Sequence, residues 1–219
     1  MFLQNLTKRD EKELFIELAV LLAIAEGQSE NKLNSENKIP FFNAIDDSEY
    51  KMLKQYEQQL DITYVNYVTE PTSRLYALVD NAITLIGNEY SNNPNVKQTL
   101  IQQVISDGGD IFAITPDLMR EKMISLPNIK SEVINEVLAE LSDLKENIIS
   151  NLTMLQKRSI IFELCGIALS DGTLGEYELK VLRRVCKIFQ IDFDYLEEFK
   201  DVVRKINTVT IEAFNLINE

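Results

Sequence analysis

The chain contains no histidine. That absence removes the Ser/His/Asp and Cys/His nucleophilic triads and every zinc site built on imidazole. It also removes the one side chain whose ordinary pKa places a general base near neutral pH. Tryptophan is missing as well, and cysteine occurs only at Cys165 and Cys186, too few for a zinc ribbon or a disulfide framework. Both cysteines stand among apolar residues at helical spacing and read as small buried fillers in a reducing compartment. Only 7 glycines and 5 prolines are spread over 219 residues, little material for a turn-rich β architecture. The most apolar run, Leu14 to Ala25, is too short to cross a bilayer and carries Glu17 inside it. The mixed-charge stretch before it, Lys8 to Glu13, is not the positive region of a signal sequence, so the cytoplasm is the expected location.

Basic residues are scarce relative to acidic ones: 22 Lys and Arg face 35 Asp and Glu, for a net charge of −13. Such a surface repels a phosphate backbone, so nucleic acid is not an expected partner. A basic protein or a hard divalent cation suits it better, and a protein partner or self-association is expected.

What the sequence does contain is helical periodicity. Apolar residues make up 45% of the chain and recur in every segment. Thr7-Lys8-Arg9-Asp10 reads as a capping box. Leu14, Phe15, Leu18, Leu21, Leu22 and Ala25 follow on one stripe, closed by Gly27. Residues 28–47 read as a long polar loop docked by Ile39, Phe41 and Phe42. Further helices are expected from Ser48 to Leu60, from near Pro71, and from Asn93-Pro94 to Gly108-Gly109. A short one is expected from Thr115-Pro116 to Pro127, and one of about five turns carries Val133 to Ile148. Thr153 and Gln156 form a second capping-box pattern, opening a helix that ends at Ser170-Asp171-Gly172. Another runs from Leu179 to Phe189, a third starts near Asp194, and an amphipathic tail spans Thr210 to Ile217. The expected fold is all-α.

The two ends of the chain echo one another. Asn5-Leu6-Thr7 recurs as Asn151-Leu152-Thr153, and Ala23-Ile24-Ala25-Glu26-Gly27 parallels Ala168-Leu169-Ser170-Asp171-Gly172. Glu49 to Lys54 matches Glu178 to Arg183, and Leu60-Asp61-Ile62 matches Phe189-Gln190-Ile191. A helical hairpin of this kind cannot bury its apolar face alone. The expectation is therefore a single bundle of about 8–10 helices over residues 1–219 with a pseudo-twofold internal repeat: an N-terminal copy at 5–62, a middle segment at 70–150 and a C-terminal copy at 151–207.

A helix ending in Ala-x-Ser-Asp-Gly, followed by an acidic loop and a helix opening with Glu, resembles the TerB-like family of bacterial tellurite-resistance and stress proteins. The resemblance implies two such units in one helical bundle, with acidic loop positions that chelate metal. Those positions carry over most directly onto Asp171 and Glu178 and more loosely onto Glu176, while Thr173 stands where the family often has another acid. In the N-terminal copy the weaker counterparts are Glu26, Asp46, Asp47 and Glu49, separated by a longer loop. A hairpin brings its two helix ends together, so Asp171, Glu176 and Glu178 can converge, and ligands of oxygen alone suit Ca²⁺ or Mg²⁺. Each also has a purely structural reading, as helix exit or as first-turn acid favoured by the helix dipole.

Three functions are compatible with these residues. The first is a non-enzymatic module of a stress-response or defence assembly that binds a divalent cation, a protein partner or both. The second is a helical scaffold or adaptor without metal. The third is a Mg²⁺-dependent all-α nucleotide pyrophosphatase, for which Glu140-x-x-Asp143 and Glu198-x-x-Asp201 are present but no Glu-x-x-Glu.

Overall fold

The computed structural model describes residues 2–26, 45, 47–70, 72–91, 93–106, 126–170 and 172–218. Every regular element among them is helical. A 3-10 turn at Leu3–Asn5 leads into α1 (Arg9–Glu26). There follow α2 (Asp47–Leu60), the short α3 (Val65–Thr69), α4 (Arg74–Ser91) and α5 (Pro94–Ser106). After them come α6 (Pro127–Leu144), α7 (Glu146–Asn151), α8 (Met154–Ala168), α9 (Glu176–Phe189) and α10 (Phe193–Asn218).

Helix α1 is the axis of the bundle. From Leu14 to Ala25 every residue is buried, not only those of one stripe, because the sequence is apolar at every position there except Glu17. The helix packs against α2, α3, α8 and α9, which wrap it on all sides. α8 is nearly as enclosed, burying Ile160, Ile161, Leu164, Cys165, Ile167 and Ala168. α9 is amphipathic, turning Val181, Leu182, Val185, Cys186 and Phe189 inward and leaving Arg183 and Lys187 exposed. α4 packs on α6, and α10 packs on α8 and α9.

Several expectations change in detail. The five-turn helix breaks at Lys145, dividing α6 from α7. Helix α3, which carries too few residues to show periodicity, was not anticipated. The last helix and the amphipathic tail are one continuous helix. The expected loop at 28–47, its Phe41-Phe42 island and the helix beginning at Thr115 lie outside the described residues, apart from Ile45 and Asp47.

The caps explain where the helices begin and end. At α8 the anticipated box forms: Thr153 Oγ1 accepts from Gln156 N–H at 3.2 Å and Gln156 Oε1 accepts from Thr153 N–H at 2.8 Å. At α1 the cap is the side chain of Glu11, whose Oε2 accepts from the N–H groups of Thr7 and Lys8 at 3.0 and 3.1 Å. Gln156 Nε2 then joins the two helix starts, donating to Asn5 O at 2.9 Å and to Glu11 Oε2 at 3.2 Å. α2 and α9 end alike. Asp61 and Gln190, which the sequence comparison pairs, are both left-handed, with φ of 52° and 58°. Each is followed by an isoleucine whose N–H reaches back five residues, Ile62 to Glu57 O at 3.1 Å and Ile191 to Cys186 O at 2.9 Å.

Candidate functional site

The C-terminal hairpin is compact. Gly172 takes φ 89°, a left-handed conformation that an L side chain rarely adopts, and its N–H closes on Leu169 O at 3.1 Å. The chain then runs extended to Gly175, the N-cap of α9. Glu178, buried in the first turn, accepts the Gly175 N–H on Oε2 at 2.8 Å. Glu176, two residues earlier, points its exposed carboxylate at Lys180 Nζ, 2.7 Å away. Lys180 also donates to Ser131 Oγ at 2.8 Å and lies with Lys130 against the ring of Tyr177.

The two described acids of the C-terminal candidate set are thus each engaged by the protein, Glu178 by a helix N-terminus and Glu176 by a lysine. Asp171 lies outside the described residues, as do Asp46 and the side chains of Glu26 and Asp47. Glu49 is half-buried in the first turn of α2. Among the described residues no group of three or more acidic or cysteine side chains is placed to hold a metal ion. Of the paired acids considered for nucleotide chemistry, Glu140 and Asp143 belong to α6. Glu198 and Asp201 sit exposed on α10, with Asp201 3.5 Å from Arg204.

The carboxylates that organise the interior are others. Glu17, 2% exposed in the middle of α1, lies 3.0 Å from Lys145 Nζ and accepts from Tyr64 Oη at 2.8 Å. Glu163, buried on α8, accepts from Tyr56 Oη at 2.9 Å and from the Phe2 N–H at 2.5 Å. Glu57 caps α3 through the N–H groups of Tyr64 and Val65 and is held by Lys54. Burial works against its charge, but those donors outweigh it and leave its pKa below the usual carboxylate range.

Glu17 and Glu163 occupy matching places in Phe15-Ile16-Glu17-Leu18 and Ile161-Phe162-Glu163-Leu164. Each is met from the far end of the chain. The junction of α6 and α7 supplies Lys145 to Glu17 on α1, and the segment before α1 supplies the Phe2 amide to Glu163 on α8. The repeated Glu-Leu inside two apolar helices was the signal available in the sequence. Read as a single interruption of one apolar run, it gave no hint of a pair.

Burial pushes both thiols up, to about 12 for Cys165 and about 12 for Cys186. The hydroxyls of Tyr56 and Tyr64 are raised first by burial and then by the adjacent carboxylates of Glu163 and Glu17. Two results follow. A thiol-specific disulfide reagent at pH 8 is expected to leave the native protein unmodified and to count two thiols once denaturant is added, since only about one thiol in ten thousand is ionised at that pH. The unfolded chain releases these protons near ordinary values, about 8.5 for thiol and about 10 for phenol, whereas the folded chain retains them. Stability is therefore fully present below about pH 8.5 and falls as the pH rises towards 12, which denaturation midpoints across that range will show.

Among the described residues the regular elements are helices alone, packed around one buried axis, and they define an all-α bundle. Residues 115–201 match the family model described as tellurite resistance protein TerB. The match takes in α6 to α9 and the first part of α10, so it includes part of the middle segment that no sequence resemblance had covered. No curated protein and no solved structure matches the chain.

Proposed function

We propose that this protein is a non-enzymatic TerB-like module of a bacterial stress-response or defence assembly, located in the cytoplasm, acting by binding a divalent cation, a protein partner or both. The observation that carries this reading is the TerB match over the compact hairpin, whose loop is bounded by Asp171, Glu176 and Glu178. The charge of −13 supports a cationic partner of either kind. The interior acids Glu11, Glu17, Glu57 and Glu163 are used in capping and bracing the fold, which fits binding rather than turnover. The two ends of the chain are read as copies of one hairpin, on the strength of the matched left-handed caps and the matched glutamates.

Calorimetric titration with Ca²⁺ and with Mg²⁺ tests the cation. Heat of binding that disappears in Asp171→Ala is expected. Asp171 is the cleaner reporter because Glu178→Ala also removes the cap of α9, at about 0.5–2 kcal/mol of stability. A titration without heat would leave the second reading, a scaffold or adaptor without metal, which the Glu176–Lys180 and Glu178–Gly175 contacts favour. The same preparations incubated with nucleoside triphosphates and Mg²⁺ are expected to release no pyrophosphate; release would turn the assignment to the nucleotide enzyme.

A further inference from the structure

Helix α10 is covered on one face and exposed towards its C-terminal end. Its inner face buries Leu196 and Val203, and Asn207 donates from Nδ2 to Leu169 O at 3.0 Å. From Thr208 to Ile217 every residue is exposed. This stretch is not polar: Val209 is 61% exposed and Leu216 72%.

The outward face has its own order. Val202, Ile206, Val209, Ala213 and Leu216, all exposed, recur at intervals of four and three. That is the a/d seam of a coiled coil, set about 130° around the helix from the face that meets the bundle. A seam of this period fits another helix rather than a flat surface. With Val202, Val209 and Leu216 at d and Ile206 and Ala213 at a, the flanking g positions include Lys205 and Glu212, both exposed. In a parallel pair each g residue meets the partner's e residue five places on, which sets Lys205 against Thr210 and Glu212 against Ile217, with no opposite charges. In an antiparallel pair with Ile206 across from Val209 of the second copy, g meets g, and Lys205 of each copy falls beside Glu212 of the other. The polar face carries Asp201, Arg204, Lys205, Thr208 and Glu212, mixed in sign, rather than the run of Lys and Arg with which a helix lies on an anionic membrane.

The geometry points to a second copy of this chain as the occupant: two α10 helices pair antiparallel through Val202, Ile206, Val209, Ala213 and Leu216, with reciprocal Lys205–Glu212 contacts at the flanks. This interface names the self-association open to the module proposed above, but it stands on α10 alone. A silent cation titration leaves it untouched, and a lost dimer leaves the cation site untouched.

Sedimentation equilibrium of the full chain, from low micromolar to several hundred micromolar, tests it. A monomer–dimer equilibrium is expected. Ile206→Asp should weaken it at least a hundredfold, with the helical circular dichroism and melting temperature unchanged because the residue is outside the core. Lys205→Glu and Glu212→Lys should each weaken it about tenfold, and the double variant K205E/E212K should restore it, since both ion pairs re-form with the signs exchanged. A chain that stays monomeric throughout, a dimer indifferent to Ile206→Asp, a double variant no better than the singles, or flotation of the chain with neutral or anionic vesicles through these residues would each overturn the proposal.

Discussion

Replacing Lys145 by methionine is expected to destabilise the fold by about 3–5 kcal/mol, because it strands the carboxylate of Glu17 in the centre of the bundle. Lys145 is 5% exposed, and Glu17, in the middle of α1, is 2% exposed. The Tyr64 hydroxyl, at 2.8 Å, would remain, but one neutral donor does not compensate a buried charge. A loss of this size is a large part of the roughly 5–15 kcal/mol by which domains are stable. The converse change, Glu17→Leu, should cost less. Lysine has a long flexible stem and sits at a helix junction, from which its ammonium can be re-routed towards solvent. Replacing both, as Glu17→Leu with Lys145→Met, is expected to recover most of the loss, because removing a buried pair outright is far cheaper than removing half of it. Urea denaturation of the three variants measures each step. If Lys145→Met costs under about 1 kcal/mol, the pair is hydrated and the bracing role assigned to it is wrong.

Glu163→Ala is expected to cost about 2–4 kcal/mol, by a different route. It removes the carboxylate that two donors use, leaving the Tyr56 hydroxyl only a long contact to the Glu163 carbonyl at 3.5 Å and the Phe2 N–H without an acceptor, and it opens space on the buried side of α8. Tyr56 feels this most, since its ring packs edge-on against Phe15 at 5.1 Å and holds the hydroxyl in place. Phe2, more than half exposed, can find water instead. Tyr56→Phe alone should cost about 1 kcal/mol, and Glu163→Ala made in the Tyr56→Phe background should cost measurably less than in the parent. Equal costs in the two backgrounds would show that the carboxylate and the phenol are not coupled.

These two sites show what the sequence made legible and what it did not. Periodicity placed α2, α5, α8 and α9 close to their observed limits, because apolar spacing and capping residues act locally: Thr153 with Gln156, and Pro94 at the start of α5. The break at Lys145 was invisible, since no Gly or Pro marks it and the apolar spacing continues across it to Ile148. Its cause is tertiary, a lysine drawn inward to a carboxylate 128 positions away. Glu17 looked like a blemish in an apolar run for the same reason, as a buried charge carries no periodic signature and its partner cannot be read from neighbours. Of the candidate loop, sequence spacing identified Glu176 and Glu178 as the residues opening α9. It did not show that a lysine one turn on and a backbone amide three residues back would engage them.

The bonds that tie Phe2 to Glu163, Asn5 and Glu11 to Gln156, and Glu17 to Lys145 also set a schedule for synthesis. α1 leaves the ribosome well before two of the helices that enclose it, α8 and α9, which follow some 130–150 residues later. At about 5–20 residues per second that delay is on the order of 7–30 s. Throughout it the apolar run of α1 has no completed core to enter, because the contacts that close over it are long-range. A nascent chain with Leu14 to Ala25 still partly uncovered exposes the kind of apolar surface that aggregates before folding is complete.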